Sequence, residues 1–205
     1  MLYYEKKAKN KGYSFVIGID EVGRGPLAGP LVAAAVKLKK TNFHNYIDDS
    51  KKLTPSQRED AFGEICQKAV FGLGIINETV IDAINIVNVT KFAMEQAVAN
   101  LIYVSRGRIN KNKVMVLVDG NLSLGLPFRS KSIIRGDSKS LSIACASIVA
   151  KVTRDRIMAI YNKVYPKYSF KQHKGYGTKG HIKAINKYGP CLIHRRSFSP
   201  LKNIA

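Results

Sequence analysis

Cysteine is scarce in this chain. Cys66, Cys145 and Cys191 are an odd number at wide spacing, which argues against a disulfide framework and for free thiols in a reducing compartment. Cys191 and His194 stand three apart, but no second Cys/His pair completes a zinc set. Long apolar runs are also lacking. None approaches the ~18 residues of a membrane-spanning helix, and the opening MLYYEKKAKNKGY has no apolar signal core, so neither a membrane span nor secretion is expected and the protein is expected in the cytoplasm. Repeats, low-complexity tracts and linkers are missing too, which leaves 205 residues for one well-cored domain. The scarcity with most consequence is that of negative charge. Fourteen Asp and Glu stand against 34 Lys and Arg, a net charge of +20 spread over the whole chain, with a pI near 10.0. A folded domain this basic is built to meet a polyanion, and nucleic acid is the first candidate, ahead of a membrane surface.

Because carboxylates are few, their placement is informative. In Val16–Ala35, VIGIDEVGRGPLAGPLVAAA, an apolar run ends abruptly in Asp20 and Glu21. A glycine-flanked arginine (Gly23, Arg24, Gly25) and the turn residues Pro26, Gly29 and Pro30 separate it from a second apolar run, Leu31–Leu38. The pattern predicts a hairpin with strands over 14–19 and 31–38 and a reactive centre at one end. Upstream, residues 1–13 read as a short basic helix or a frayed arm. Downstream, 41–53 is a polar loop containing Asp48, Asp49, Lys51 and Lys52. Thr54, Pro55 and Gln57 form a capping-box helix start, with the helix running to about residue 69. Residues 70–76 alternate as a strand, with Phe71, Leu73 and Ile75 on one face. Residues 79–104 carry helical spacing, as one helix or two in tandem. Residues 114–118 form a continuous apolar strand stopping at Asp119, and a less regular segment leads to Asp137. The small-residue stretch 140–160 suits a helix packed closely on a sheet, and a last helix near 180–188 ends at Gly189-Pro190. This order predicts an α/β fold with a mixed central sheet flanked by helices.

Asp20, Glu21, Asp119 and Asp137 thus follow apolar strand-like runs, and strand ends are where open α/β sheets build sites. Oxygen-only ligands select hard cations such as Mg²⁺ or Mn²⁺, and two such ions are the standard device for phosphodiester hydrolysis. Adjacent strand residues point to opposite faces, so Asp20 and Glu21 share a site only if the backbone leaves the strand there. Asp48, Asp49 and Asp155 are adequately explained as loop caps and as a helix ion pair with Lys151 or Arg154. The segment GRGPLAG matches neither a dinucleotide nor a P-loop spacing. Its glycines are better used to bring bare backbone close to a ligand, and a 2′-hydroxyl, both donor and acceptor, is a group such backbone can read.

The segments DEVGRGPLAGPLVAAAV, DDSKKL, VDGN, GDSKSLSIACASIVAKVTRD, HKGYGTKGH and HRRSFSP, in this order over nearly the whole chain, resemble ribonuclease HII, the bacterial type 2 ribonuclease H. The resemblance implies a ribonuclease H-like fold over 1–205, in which about 161–205 is a basic C-terminal helical portion completing the substrate groove. It implies an endonuclease that cleaves RNA in RNA/DNA hybrids and nicks duplex DNA on the 5′ side of a single embedded ribonucleotide, leaving 5′-phosphate and 3′-hydroxyl ends. By the same resemblance, Asp20, Glu21, Asp119 and Asp137 look like the catalytic carboxylates holding two Mg²⁺ or Mn²⁺ ions. Gly23, Arg24 and Gly25 look like the sensor of the 2′-hydroxyl, and Tyr176 like the ring that stacks on the next deoxyribose. Lys51, Lys52, Lys151 and Arg154 are candidate phosphate contacts, with a solvated surface role equally open, and Lys151 and Arg154 have Asp155 as an alternative partner. Cys145 stands where the family generally has alanine, a packing change only. A monomer is expected. No long C-terminal extension of the clamp-binding kind is seen, so a sliding-clamp partner is not expected. Two rivals remain open: a non-catalytic basic nucleic-acid-binding protein, and a DNA-junction nuclease with no need for a 2′-hydroxyl.

Overall fold

A computed structural model describes residues 1–105 and 109–203. Five strands form one mixed sheet: β1 (Phe15–Val22), β2 (Leu31–Leu38), β3 (Ala69–Ile76), β4 (Val114–Asp119) and β5 (Arg129–Ile133), in the order β3-β2-β1-β4-β5. The first three strands pair antiparallel as a meander, whereas β4 and β5 run parallel to β1. Strand alternation divides the core in two. Ile17, Ile19, Ala33, Ala35, Val116 and Val118 pack under α4 (Ile86–Val104), which is preceded by the short α3 (Glu78–Ile84). Val32, Ala34 and Val36 face the other way, onto α5 (Leu141–Val164) and α2 (Pro55–Lys68).

The elements follow local chemistry closely. Thr54 Oγ1 accepts the Gln57 N–H, and the Gln57 side chain accepts the Thr54 N–H, completing the capping box of α2. The stretch 79–104 is two helices because Asn85 takes φ 66° and turns its side-chain oxygen to the Val87 and Asn88 N–H groups, starting α4 afresh. The structure differs from the sequence-based expectation in three places. β1 continues through Asp20 and Glu21 to Val22 instead of ending at Ile19. β5 is a regular edge strand although four of its five residues are exposed. The helix α6 (Phe170–His173) lies between α5 and α7 (Lys179–Tyr188).

The N-terminal helix α1 (Tyr3–Asn10) anchors the start of α5: Glu5 Oε1 accepts from Ser140 Oγ at 2.6 Å and from Ser142 N at 2.9 Å. At the opposite end, Met158, Tyr168, Phe170, Ile185 and Ile193 form a separate apolar cluster that also takes in Leu27 and Ala28 from the β1–β2 connection. His173 stacks on His181, which lies 3.0 Å from His194 Nε2 through its own Nε2, and burial lowers His181 and His194 to about 4. The three cysteines are free. Among the described residues no helix is long and apolar enough to cross a membrane.

Candidate active site

Strand pairing brings the first two carboxylates together. Ile19 of β1 stands opposite Val118 of β4, so the next residue of each parallel strand, Asp20 and Asp119, arrives at the same edge of the sheet. Both belong to the α5 face, because Gly18 lies against the backbone of α5 and Leu117 packs with Ile143. Asp137 reaches this face from the 3-10 turn Gly136–Ser138, just before Ser140 caps α5. One carboxylate oxygen each from Asp20, Asp119 and Asp137 lie within 4.8 Å of one another. The Gly136 N–H donates to Asp119 Oδ1 at 2.6 Å and the Glu21 N–H to Asp20 Oδ1 at 2.7 Å, orienting two of the three.

The crowding is electrostatically costly. Burial, then the charges of Glu21 and Asp119, raise the Asp20 carboxyl well above its ordinary range. Burial, then Asp119 and Asp49, raise Asp137 in the same way. Lys51 answers part of this: desolvation lowers its pKa, but Asp49, Asp20, Asp137 and Asp119 together hold it above its ordinary value. Three converging carboxylates with no His or Cys among the donors fit a hard divalent cation, which favours anionic oxygen ligands and offsets their repulsion.

Glu21 is placed differently from the expectation. The strand does not bend, so Glu21 pairs in regular register with Ala33 and falls on the face opposite Asp20. It stands outside the cluster of three, 3.6 Å from Arg24 Nη1, though burial and the nearby Asp119 charge still raise its pKa against the pull of Arg24. The glycines expected to permit a bend come after the strand, at Gly23 (φ 100°) and Gly25. There they shape a turn whose Arg24 is exposed. A methyl group at Gly25 would lie 3.9 Å from the ring of Tyr176, so the GRG turn and the half-exposed Tyr176 sit side by side.

The remaining candidates divide. Lys52 is exposed, paired with Asp48 and 3.3 Å from Ser138 Oγ beside the cluster. Lys151 pairs with Asp155 at 2.7 Å. Arg154 does not reach solvent: it is 0 % exposed and donates only to backbone carbonyls, which corrects both its expected phosphate contact and its alternative pairing with Asp155. Arg195, which no sequence pattern singles out, is also 0 % exposed, and its guanidinium lies under the GRG turn. Nothing in the basic string HRRSF distinguishes a buried arginine from an exposed one.

Comparison with known proteins identifies the family. The family model for ribonuclease HII matches residues 17–201. The ribonuclease HII of Caldicellulosiruptor bescii is 50% identical over 201 residues, covering 98% of this chain and 93% of that protein. Among solved structures, ribonuclease H2 from Pyrococcus horikoshii superposes with a TM-score of 0.72 at 24% identity, over 93% of this chain and 96% of that one. Bst-RNase HIII in complex with Mn²⁺ does so with a TM-score of 0.69 at 16% identity, over 95% and 70%. The chain belongs to the ribonuclease HII family and is a ribonuclease H, an endonuclease acting on RNA/DNA substrates.

Proposed function

We propose that this enzyme works as a cytoplasmic monomer that cuts at RNA–DNA junctions, nicking duplex DNA on the 5′ side of a single embedded ribonucleotide as well as cleaving RNA in hybrids. The observation that carries the reading is the adjacency of the GRG turn to Tyr176, one turn beyond the end of the strand that bears Asp20. Exposed backbone at Gly25 suits a 2′-hydroxyl, which both donates and accepts, while Gly23 is buried just behind it against Arg154 and lets the turn pack that closely. The Tyr176 ring suits a deoxyribose face, which a 2′-hydroxyl would crowd. The carboxylates and both halves of this reader come from one chain, which supports action without a second subunit.

Asp20, Asp119 and Asp137 are the residues that would hold divalent metal, with Glu21 within electrostatic reach of a second ion. Mg²⁺ or Mn²⁺ bound there supplies an activated water and neutralises charge on the leaving oxygen. The Mn²⁺ seen in the Bst-RNase HIII complex supports this donor chemistry. Lys51, facing the carboxylates, and Lys52, near Ser138, are placed to meet the scissile strand's phosphates. The test is a nicking assay on an all-DNA duplex carrying one ribonucleotide, with Mg²⁺, Mn²⁺ or EDTA. A divalent-dependent nick 5′ of the ribonucleotide, lost in Asp20→Asn, is expected. Cleavage of long hybrids without that nick overturns the junction reading and leaves the nuclease. Binding without cleavage of either substrate returns the case to a non-catalytic binder.

A further inference from the structure

Arg154 on α5 and Arg195 in the C-terminal segment are the two largest fully buried side chains among the described residues. Neither makes an ion pair among the described residues; Glu78 and Asp82 feel the Arg195 charge only at a distance. A buried guanidinium without a carboxylate needs acceptors for its N–H groups, and here backbone carbonyls provide them. Arg154 Nε donates to Pro30 O at 2.9 Å, Nη2 to Ala28 O at 3.0 Å and Nη1 to Lys174 O at 2.9 Å. Arg195 Nε and Nη2 both donate to Gly29 O, at 3.0 and 2.7 Å, and Nη1 to Arg24 O at 3.1 Å. Burial pulls Arg154 down to about 10, and burial with the neighbouring Arg154 charge pulls Arg195 down to about 9.

These carbonyls belong to two segments: the turn 24–30, which begins with the GRG residues, and residue 174, two before Tyr176. Main-chain bonds follow the same path, from Leu27 N to Gly175 O, from Gly29 N to Ile193 O and from Arg195 N to Leu27 O. The packing leaves no slack. A methyl group at Gly23 would stand 2.5 Å from Arg154 Nε, and one at Gly175 would overlap the Ala28 carbonyl oxygen, which Arg154 already holds. Arg154 therefore spans both segments with one rigid fork, and Arg195 fixes the carbonyls at either end of the turn.

We propose that Arg154 and Arg195 are positioning residues that set the spacing between the GRG turn and Tyr176, and through it the enzyme's preference for an RNA–DNA junction over an uninterrupted hybrid. The proposal rests on the junction reading under Proposed function. A lysine keeps the positive charge at either position but not the planar array of donors, so it cannot hold two segments in register. Neither arginine contacts the three-aspartate cluster, so hybrid cleavage does not depend on the fork in the same way.

The experiment measures kcat and KM on two substrates, a duplex with one ribonucleotide and a continuous RNA/DNA hybrid. The proteins are wild type, Arg154→Lys, Arg195→Lys, Tyr176→Ala and the double variant Arg154→Lys/Tyr176→Ala. The Lys variants are made separately, so that each tests the proposal in a protein retaining the other fork, and circular dichroism gives the folded fraction. Each Lys variant is expected to lower the junction-to-hybrid ratio of kcat/KM at least about 10-fold, since a misplacement near 1 Å costs up to about 100-fold. The double variant is expected to lower the ratio no further than Tyr176→Ala alone, because the arginine acts through that ring. Equal losses on both substrates, with the ratio unchanged while Tyr176→Ala changes it, would show that the arginines only hold the fold together. Losses in the double variant that multiply would also overturn the proposal. A Tyr176→Ala ratio equal to wild type instead refutes the junction reading itself.

Discussion

Gly18 offers a test of what sets the spacing of the carboxylates. It lies in β1 two residues before Asp20, under the first turn of α5. A methyl group there would overlap the Ser142 carbonyl carbon and the Ile143 nitrogen and stand 2.6 Å from Ser142 O. All three are backbone atoms, so no side-chain rotation relieves the contact. Restoring van der Waals separation requires β1 and the start of α5 to part by about 1 Å. Asp20 travels with the strand, and Asp137, just ahead of the Ser140 cap, travels with the helix, so the shift falls directly on the carboxylate cluster.

Gly18→Ala is therefore expected to cost about 1–3 kcal/mol of stability by overpacking, and to lower turnover of the folded fraction about 100-fold by misplacing reacting groups. Gly74→Ala is the matched control. Its methyl group would overlap the Ala93 carbonyl oxygen, at least as severe a clash, but between β3 and α4 on the other face of the sheet. It should lose as much stability while keeping turnover per folded molecule within about 3-fold, because distant packing changes do not couple strongly to the site. Urea denaturation gives the first quantity and hybrid cleavage under saturating divalent metal, well below the transition, gives the second. Equal activity losses in the two variants, or wild-type turnover in Gly18→Ala, would refute the idea that the α5–β1 contact sets the cluster.

The electrostatics give two more tests. Asp20→Asn removes one of three crowded carboxylates, so in EDTA its Tm should rise by roughly 2–4 °C for each kcal/mol of repulsion relieved, while cleavage falls at least about 100-fold, as for loss of any group supporting a metal. Added Mg²⁺ should then stabilise wild type more than the variant, and a variant less stable than wild type in EDTA contradicts the repulsion. Glu64 is the opposite case: desolvation raises its pKa, but hydrogen bonds from Lys68, Asn45 and His44 outweigh it and bring the carboxyl from 4.5 down to about 2. A folded-state pKa below the unfolded one means stability fully present above about pH 4.5 and lost as pH falls toward about 2. Wild type should lose its advantage over Glu64→Gln across that window, and parallel stability curves would exclude the network as its source.

What could be read in the chain beforehand was whatever neighbouring residues determine among themselves. Thr54, Pro55 and Gln57 make a capping box without outside help, and each apolar run that became a central strand announces itself by being buried on both faces. Asp20 and Asp119 each follow an apolar run, so their carboxylates were legible as a set, and the parallel pairing of Ile19 with Val118 is what brings them to the same place. The misreadings all concern structure supplied from elsewhere. The strand β5, RSKSI, has no apolar face, and its conformation comes from its pairing with β4. Whether β1 would bend at Asp20 depended on β2, which pairs with it through Val22 and so sends Glu21 to the far face.

Arg154 is the sharpest instance, because its residue type pointed the wrong way. Arginine is among the residues least often buried, and one in so basic a chain reads as a phosphate contact. Its burial is decided by carbonyls of residues 28, 30 and 174, and a carbonyl has no residue identity by which a sequence could flag it. Pro26 and Pro30 carry no N–H to share in closing their own turn, so the turn must be satisfied by donors from outside it. A glycine- and proline-rich turn that reads a ligand with bare backbone therefore needs a rigid, many-armed donor beneath it, and two guanidiniums fill that need here while leaving the reading surface free.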